Sequence, residues 1–97
     1  MRLDVDQQVL AELCRRHSIR RLSLFGSVLK GTARPDSDVD LLVEFEPEAI
    51  PGLLGMAAIE IELSELLGKK VDLRTVGDLS RYFRDEVARS AEPQFVA

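Results

Sequence analysis

The chain has no tryptophan, one tyrosine and four phenylalanines, so aromatic rings cannot make up its core. Leucine, valine, isoleucine and alanine must do so, and 45% of the 97 residues are hydrophobic. It has one cysteine, Cys14, which excludes an internal disulfide framework and fits a reducing compartment. Cys14 falls in a helical pattern, where a free cysteine is normally a small buried apolar residue. No apolar run approaches the roughly 20 residues that span a bilayer. Met1-Arg2-Leu3-Asp4 does not open a signal-peptide core. The expectation is a cytoplasmic protein with no membrane partner. Positive charge is also short, with 13 Lys and Arg against 17 Asp and Glu, a net charge of -4. That balance speaks against a broad basic surface for direct nucleic-acid binding. It does not exclude a nucleotide, whose phosphates a metal can neutralise. The only histidine, His17, follows Arg15 and Arg16 and reads as a helix-end charge rather than a catalytic base.

The sequence shows no repeat and no low-complexity segment, and residues 1–97 have the size of one small domain. Asp4 is a candidate cap for a first helix that carries Val5, Val9, Leu10, Leu13 and Cys14 to about His17. Ile19 to Phe25 reads as a strand of imperfect alternation, ended by Gly26-Ser27. Val28 to Gly31 allows one helical turn, and Thr32 to Ser37, with Arg34-Pro35, reads as a loop. Asp38 to Phe45 is the clearest strand. Glu46 to Gly52 connects it to the longest helix, Leu53 to Leu67, with Leu53, Ala57, Leu63, Leu66 and Leu67 as its stripe and Gly68 just past its end. Lys69 to Thr75 is a third strand. Thr75 or Asp78 caps a last helix that buries Leu79, Tyr82, Phe83 and Val87, and Pro93 to Val96 reads as a tail. The order α-β-turn-β-α-β-α predicts an α/β fold, a small mixed β-sheet flanked by helices.

The chemistry concentrates at two places. Asp38 and Asp40 are two apart at a strand start, so they share a face while Val39, Leu41 and Val43 face the core. Alone, Asp-x-Asp is a common way for a loop to enter a strand. Here the strand is apolar on both faces and reads as central, and two same-face carboxylates there repel unless a cation sits between them. Mg²⁺ is commonly held by one or two carboxylates plus substrate phosphates. Gly26-Ser27 ends the preceding strand, where Gly lets backbone approach an anion and Ser27 adds a hydroxyl. Asp72 lies opposite in facing to Val71 and Leu73. It completes a carboxylate triad if its strand lies beside Asp38 to Phe45, and it could then take a proton from an attacking hydroxyl. Otherwise it faces solvent.

Gly26-Ser27, ten residues, then Asp38-Val39-Asp40, with Asp72 in a later strand, resembles the nucleotidyltransferase superfamily that includes DNA polymerase beta. Leu24 to Phe45, with Ala33-Arg34-Pro35-Asp36-Ser37-Asp38, is similar to the minimal nucleotidyltransferase (MNT) family. So is the stretch from Val71-Asp72-Leu73-Arg74-Thr75 to Tyr82-Phe83-Arg84-Asp85. The resemblance implies an antitoxin that transfers AMP from ATP to a tyrosine of a HEPN-family ribonuclease toxin, in a hetero-oligomer with it. It implies Asp38, Asp40 and Asp72 as the ligands of two Mg²⁺ ions, Asp72 also as base, and Gly26 and Ser27 on the ATP phosphates. It further implies that a partner covers the nucleotide, as a helical domain does in larger relatives. Two other functions stay open. One is an antitoxin that blocks its toxin by binding alone. The other is a nucleotidyltransferase for a small-molecule acceptor, disfavoured by a chain too short to build its own acceptor pocket.

Overall fold

The structure is a computed structural model that describes residues 3–26, 38–82 and 84–97. The first helix, α1 (Gln7–Arg16), is capped by Asp6, whose carboxylate accepts from the amides of Gln8 and Val9 at 2.8 and 3.3 Å. Two of the helix's orphan N–H groups are satisfied this way. The cap is therefore Asp6 and not Asp4. Leu3 and Val5 pack against the core and the Val5 amide bonds the Leu3 carbonyl, so the chain is still turning at Asp4. Leu10, Leu13 and Cys14 are buried. Burial pushes the Cys14 thiol up to about 12, which leaves it inert.

Ser18, at φ 55, turns the chain into β1 (Ile19–Phe25). This strand pairs antiparallel with β2 (Val39–Phe45), from Ile19 opposite Phe45 to Phe25 opposite Asp40. The pairing shifts between Ile19 and Arg21. An extra residue there lets Ile19 and Leu22, three apart, both reach the core, which explains the imperfect alternation. The predicted turn and loop over 28–37 lie outside the described residues. After β2 comes a short 3-10 turn, Pro47–Ala49, and then α2 (Leu53–Leu67), which ends at Gly68 in the left-handed conformation, φ 67. A glycine takes that φ without steric cost. β3 (Val71–Arg74) runs parallel to β2. A second 3-10 turn, Val76–Asp78, is closed by a reciprocal cap between Thr75 and Asp78, and α3 (Arg84–Ser90) follows.

The predicted tail is a fourth strand, β4 (Glu92–Val96), antiparallel to β1. Among the described residues the sheet order is β3-β2-β1-β4, mixed as expected. Pro93 fits because β4 is an edge strand, where a missing N–H need not break a ladder. The last helix is also shorter than expected. Tyr82 is 84% exposed, Leu79 and Val87 are only half-buried, and Phe83 lies outside the described residues. The capping pair holds a 3-10 turn instead of starting a long helix.

One core joins α1 and α2 to one face of the sheet through Leu10, Leu13, Ile59 and Leu63 and the inward residues of β1, β2 and β3. The stripe on α2 differs from the expected one. Ile59 and Leu63 are buried, Met56, Leu66 and Leu67 partly so, while Leu53 and Ala57 are exposed. The first turn of α2 projects beyond the core. Among the described residues no helix is long and apolar enough to cross a membrane.

α1 is tied to α2 through Glu62, which meets Arg16 Nη2 at 2.6 Å and His17 Nε2 at 2.8 Å. His17 thus joins two helices as well as ending one. Hydrogen bonds from Arg16 and then His17 hold the Glu62 carboxyl below its ordinary value. Their stabilisation is full above pH 4.5 and is lost as pH falls through the lowered folded value. Glu62→Gln should therefore lower the thermal midpoint by about 2 °C at neutral pH, as for a partly exposed pair. The difference from wild type should close on acidification below that range, which thermal melts at several pH values will show.

Candidate active site

Alternation in β2 sends Val39, Leu41 and Val43 into the helix-side core, as expected, and leaves Asp40 on the opposite face. In β3 the same rule buries Val71 and Leu73 and turns Asp72 and Arg74 to that opposite face. The strands pair in parallel with Asp40 beside Asp72. Neighbouring strands lie about 4.8 Å apart, so two carboxylates are neighbours on the face opposite the helices. The strand of Asp72 does lie beside β2, which was the condition set for Asp72 to join the other two acids.

Asp38 precedes β2 and stands at the rim. Its carboxylate lies 3.9 Å from Lys70 Nζ, and the Val39 amide donates to the Lys70 carbonyl at 2.9 Å. The Asp40 carboxyl is pushed above its usual range, first by burial, then by the charges of Asp72 and Asp38, with Arg74 acting against them. Each acid of the trio is thus felt at Asp40. Arg74 grips Asp72 with two bonds, Nε to Oδ1 at 3.0 Å and Nη2 to Oδ2 at 3.2 Å. Among the described residues Asp40 makes no ion pair, and no three carboxylate, imidazole or thiol groups stand close enough together to enclose a metal ion. The donor set nevertheless fits a hard divalent cation. It is all oxygen, and Asp40 carries a repulsion that such a cation would remove.

Gly26 belongs to this corner for a reason its sequence context hides. Phe25 pairs with Asp40, so Gly26 continues past the pair and lies against the Asp40 side chain. Its φ is +82, and a Cβ on it would overlap the Asp40 carboxylate and come within 3.0 Å of its Cγ. Ser27 lies outside the described residues. Lys70 and Arg74 were not among the expected site residues. Their signal was available, since residues 70, 72 and 74 alternate onto one face of a strand.

The chain is similar in sequence and fold to known proteins. A family profile described as a nucleotidyltransferase domain matches residues 6–94. The chain is 48% identical over 62 residues to the protein adenylyltransferase MntA of Thermococcus cleftensis, which covers 64% of this chain and 61% of that protein. The chain thus spans about three fifths of the length of that relative. A solved structure named as a minimal nucleotidyltransferase is similar at a TM-score of 0.74 and 41% identity, over 90% of this chain and 87% of that one. A chain from a complex of tri-AMPylated Shewanella oneidensis HEPN toxin with MNT antitoxin shares the fold at a TM-score of 0.66 and 17% identity, over 94% of this chain and 70% of that chain.

The Gly26 contact generates a test of packing independent of activity. Gly26→Ala should cost about 1–3 kcal/mol in chemical denaturation, from the positive φ and the overlap with Asp40 together. Adding Asp40→Ser should return part of that loss, because the overlapping carboxylate is gone while the φ strain stays. A wild-type denaturation midpoint for Gly26→Ala would refute the close approach.

Proposed function

This chain belongs to the nucleotidyltransferase domain family, and from that premise we propose that it transfers AMP from ATP to a tyrosine of a HEPN-family ribonuclease toxin, acting as the toxin's antitoxin. The observation that carries the reading is Asp40 paired beside Asp72 on the sheet face opposite the helical core. The adenylyltransferase name of the Thermococcus relative and the AMPylated toxin in the Shewanella complex support the choice of group and acceptor.

Asp40 and Asp72, with Asp38 at their rim, are the residues to hold Mg²⁺. Two such ions supply charge stabilisation to the attacking and leaving oxygens of an in-line displacement. The chain's own part is positioning and proton transfer. Gly26 and Ser27 bring backbone N–H groups, and Ser27 a hydroxyl, to the ATP phosphates. Asp72 takes the proton of the tyrosine hydroxyl. The tyrosine oxygen bonds the α-phosphorus, the bond to the bridging oxygen breaks, and pyrophosphate leaves. Burial and repulsion at Asp40 create a demand for positive charge where the triphosphate must be neutralised.

One observation favours a second reading. The two bonds from Arg74 already balance Asp72, as suits an antitoxin that works by occlusion alone. The readings part on covalency. Incubated with ATP and Mg²⁺, toxin should gain one or more AMP units on a tyrosine and stay inactive after this chain is stripped away. Asp38→Asn, Asp40→Asn and Asp72→Asn should each lower AMP transfer more than about 100-fold, beyond the usual cost of losing an outer-shell partner. The thermal midpoint of Asp40→Asn should hold or rise, because it relieves the burial and like-charge repulsion at that carboxyl. Unmodified toxin that regains activity on separation, with Asp72→Asn neutralising as well as wild type, establishes occlusion instead.

The surface supports a protein partner. Ile50, Leu53, Leu54 and Ile61 are 69%, 91%, 88% and 60% exposed, an apolar set along α2 and its approach. Phe95, by contrast, is packed against the core. We expect α2 in the toxin interface, so that the co-expressed pair sediments as one species and Leu54→Asp divides it. Two separate wild-type species at micromolar concentration would count against this surface.

A further inference from the structure

β3 is only four residues long and forms an edge of the sheet. One side of it pairs with β2. On its other side the amides of Val71 and Leu73 point away from the sheet, where an edge strand normally leaves its N–H groups to solvent or to another chain. Here both are taken by side chains of α2. Ser64 Oγ accepts from the Val71 amide at 3.0 Å and donates to the Glu60 carbonyl at 2.7 Å. The Glu60 carboxylate accepts from the Leu73 amide at 2.8 Å through Oε2. The two amides so held are those on either side of Asp72.

The fit has a geometric basis. Glu60 and Ser64 are four residues apart on a helix, a rise of about 6 Å. Val71 and Leu73 are two apart on a strand, about 6.6 Å. One turn of α2 therefore matches one repeat of β3, and two adjacent handles on the helix reach two successive outward amides. A carboxylate acceptor makes the Leu73 bond charge-assisted, the stronger kind. Slippage of β3 along β2 would break both bonds, and the same slippage would carry Asp72 away from Asp40.

We propose that Glu60 and Ser64 are positioning residues for Asp72, fixing through the Val71 and Leu73 amides the register that sets Asp72 beside Asp40. The proposal rests on the reading of Asp40 and Asp72 as a divalent-cation site. It assigns these two side chains a role in the affinity of that site in addition to protecting a sheet edge.

Mn²⁺ alone serves as the probe, with its binding to the full chain followed by electron paramagnetic resonance and amide exchange at Val71 and Leu73 followed by NMR. Glu60→Ala should speed exchange at Leu73 and weaken Mn²⁺ binding about tenfold, the scale of a lost outer-shell support. Ser64→Ala should do the same at Val71, to a smaller extent, and remains informative if Glu60→Ala does not fold. Glu60→Gln keeps an acceptor oxygen without the charge. It should restore most of the affinity, which separates positioning from the simple attraction of one more carboxylate. Wild-type Mn²⁺ affinity in a folded Glu60→Ala or Ser64→Ala chain with faster exchange would overturn the proposal and leave only edge protection. Glu60→Gln as weak as Glu60→Ala would also overturn it. A wild-type chain that binds no Mn²⁺ would remove the cation reading itself, and the positioning role with it.

Discussion

The pairing register that sets Asp40 beside Asp72 is the constraint on which the rest of this structure depends. Parallel pairing of β2 and β3 puts the two acids side by side, and the sheet cannot relax them apart without losing Val39, Leu41, Val71 and Leu73 from the core. A one-residue slip of either strand would turn its apolar set outward and its acid inward. The hydrophobic register and the charge cluster are therefore one feature seen from two faces. The helix side supplies the stabilisation, and the opposite side carries its electrostatic cost.

That cost is contained by what surrounds the acids. Lys70, just before β3, and Arg74, at its end, stand two residues to either side of Asp72 and pair with Asp38 and Asp72. Asp40, between them, is left with the raised carboxyl. Exposed pairs of this kind are each worth little to stability. Their value lies in placement, since they balance Asp38 and Asp72 and leave Asp40 without an ion pair among the described residues. The helices show the same economy. α1 and α2 both lie against the inner face and are joined by Glu62. The described part of the outer face keeps Asp40 and Asp72 within reach of solvent.

Local patterns made much of this legible. β1 and α2 fall where alternation, periodicity and Gly68 place them, because those signals depend only on neighbours in sequence. Elements that depend on distant partners were harder. β4 has Pro93 inside five residues and little alternation of its own, and it is a strand only because β1 offers an unpaired edge. Asp6 outcompetes Asp4 as a cap because Leu3 and Val5 are drawn to the core first. The acids at 38, 40 and 72 could be picked out by facing and by resemblance. The ion pair on Asp72 was open to the same alternation argument, since Arg74 is two residues on along one strand, whereas the clamp on β3 could not be read because it needs the position of the helix turn to be known.

Gly26 shows how spacing in a sequence can stand for contact in a fold. Read locally, Gly26 followed by Ser27 suggests a turn that leaves room for an anion. In the structure the nearest occupant of that room is the carboxylate of Asp40. The contact exists because Phe25 is paired with Asp40, so the next residue runs beneath the acid's side chain. Any side chain there would overlap the acid, and a left-handed φ already favours glycine. The interval from Gly26 to Asp40 is thus a pairing register of two antiparallel strands written along the chain. A phosphate cradle and a slot for an acid need not compete for this glycine. The backbone that yields space to the Asp40 carboxylate on one side is the same backbone that, in the function proposed above, turns its N–H groups to a phosphate.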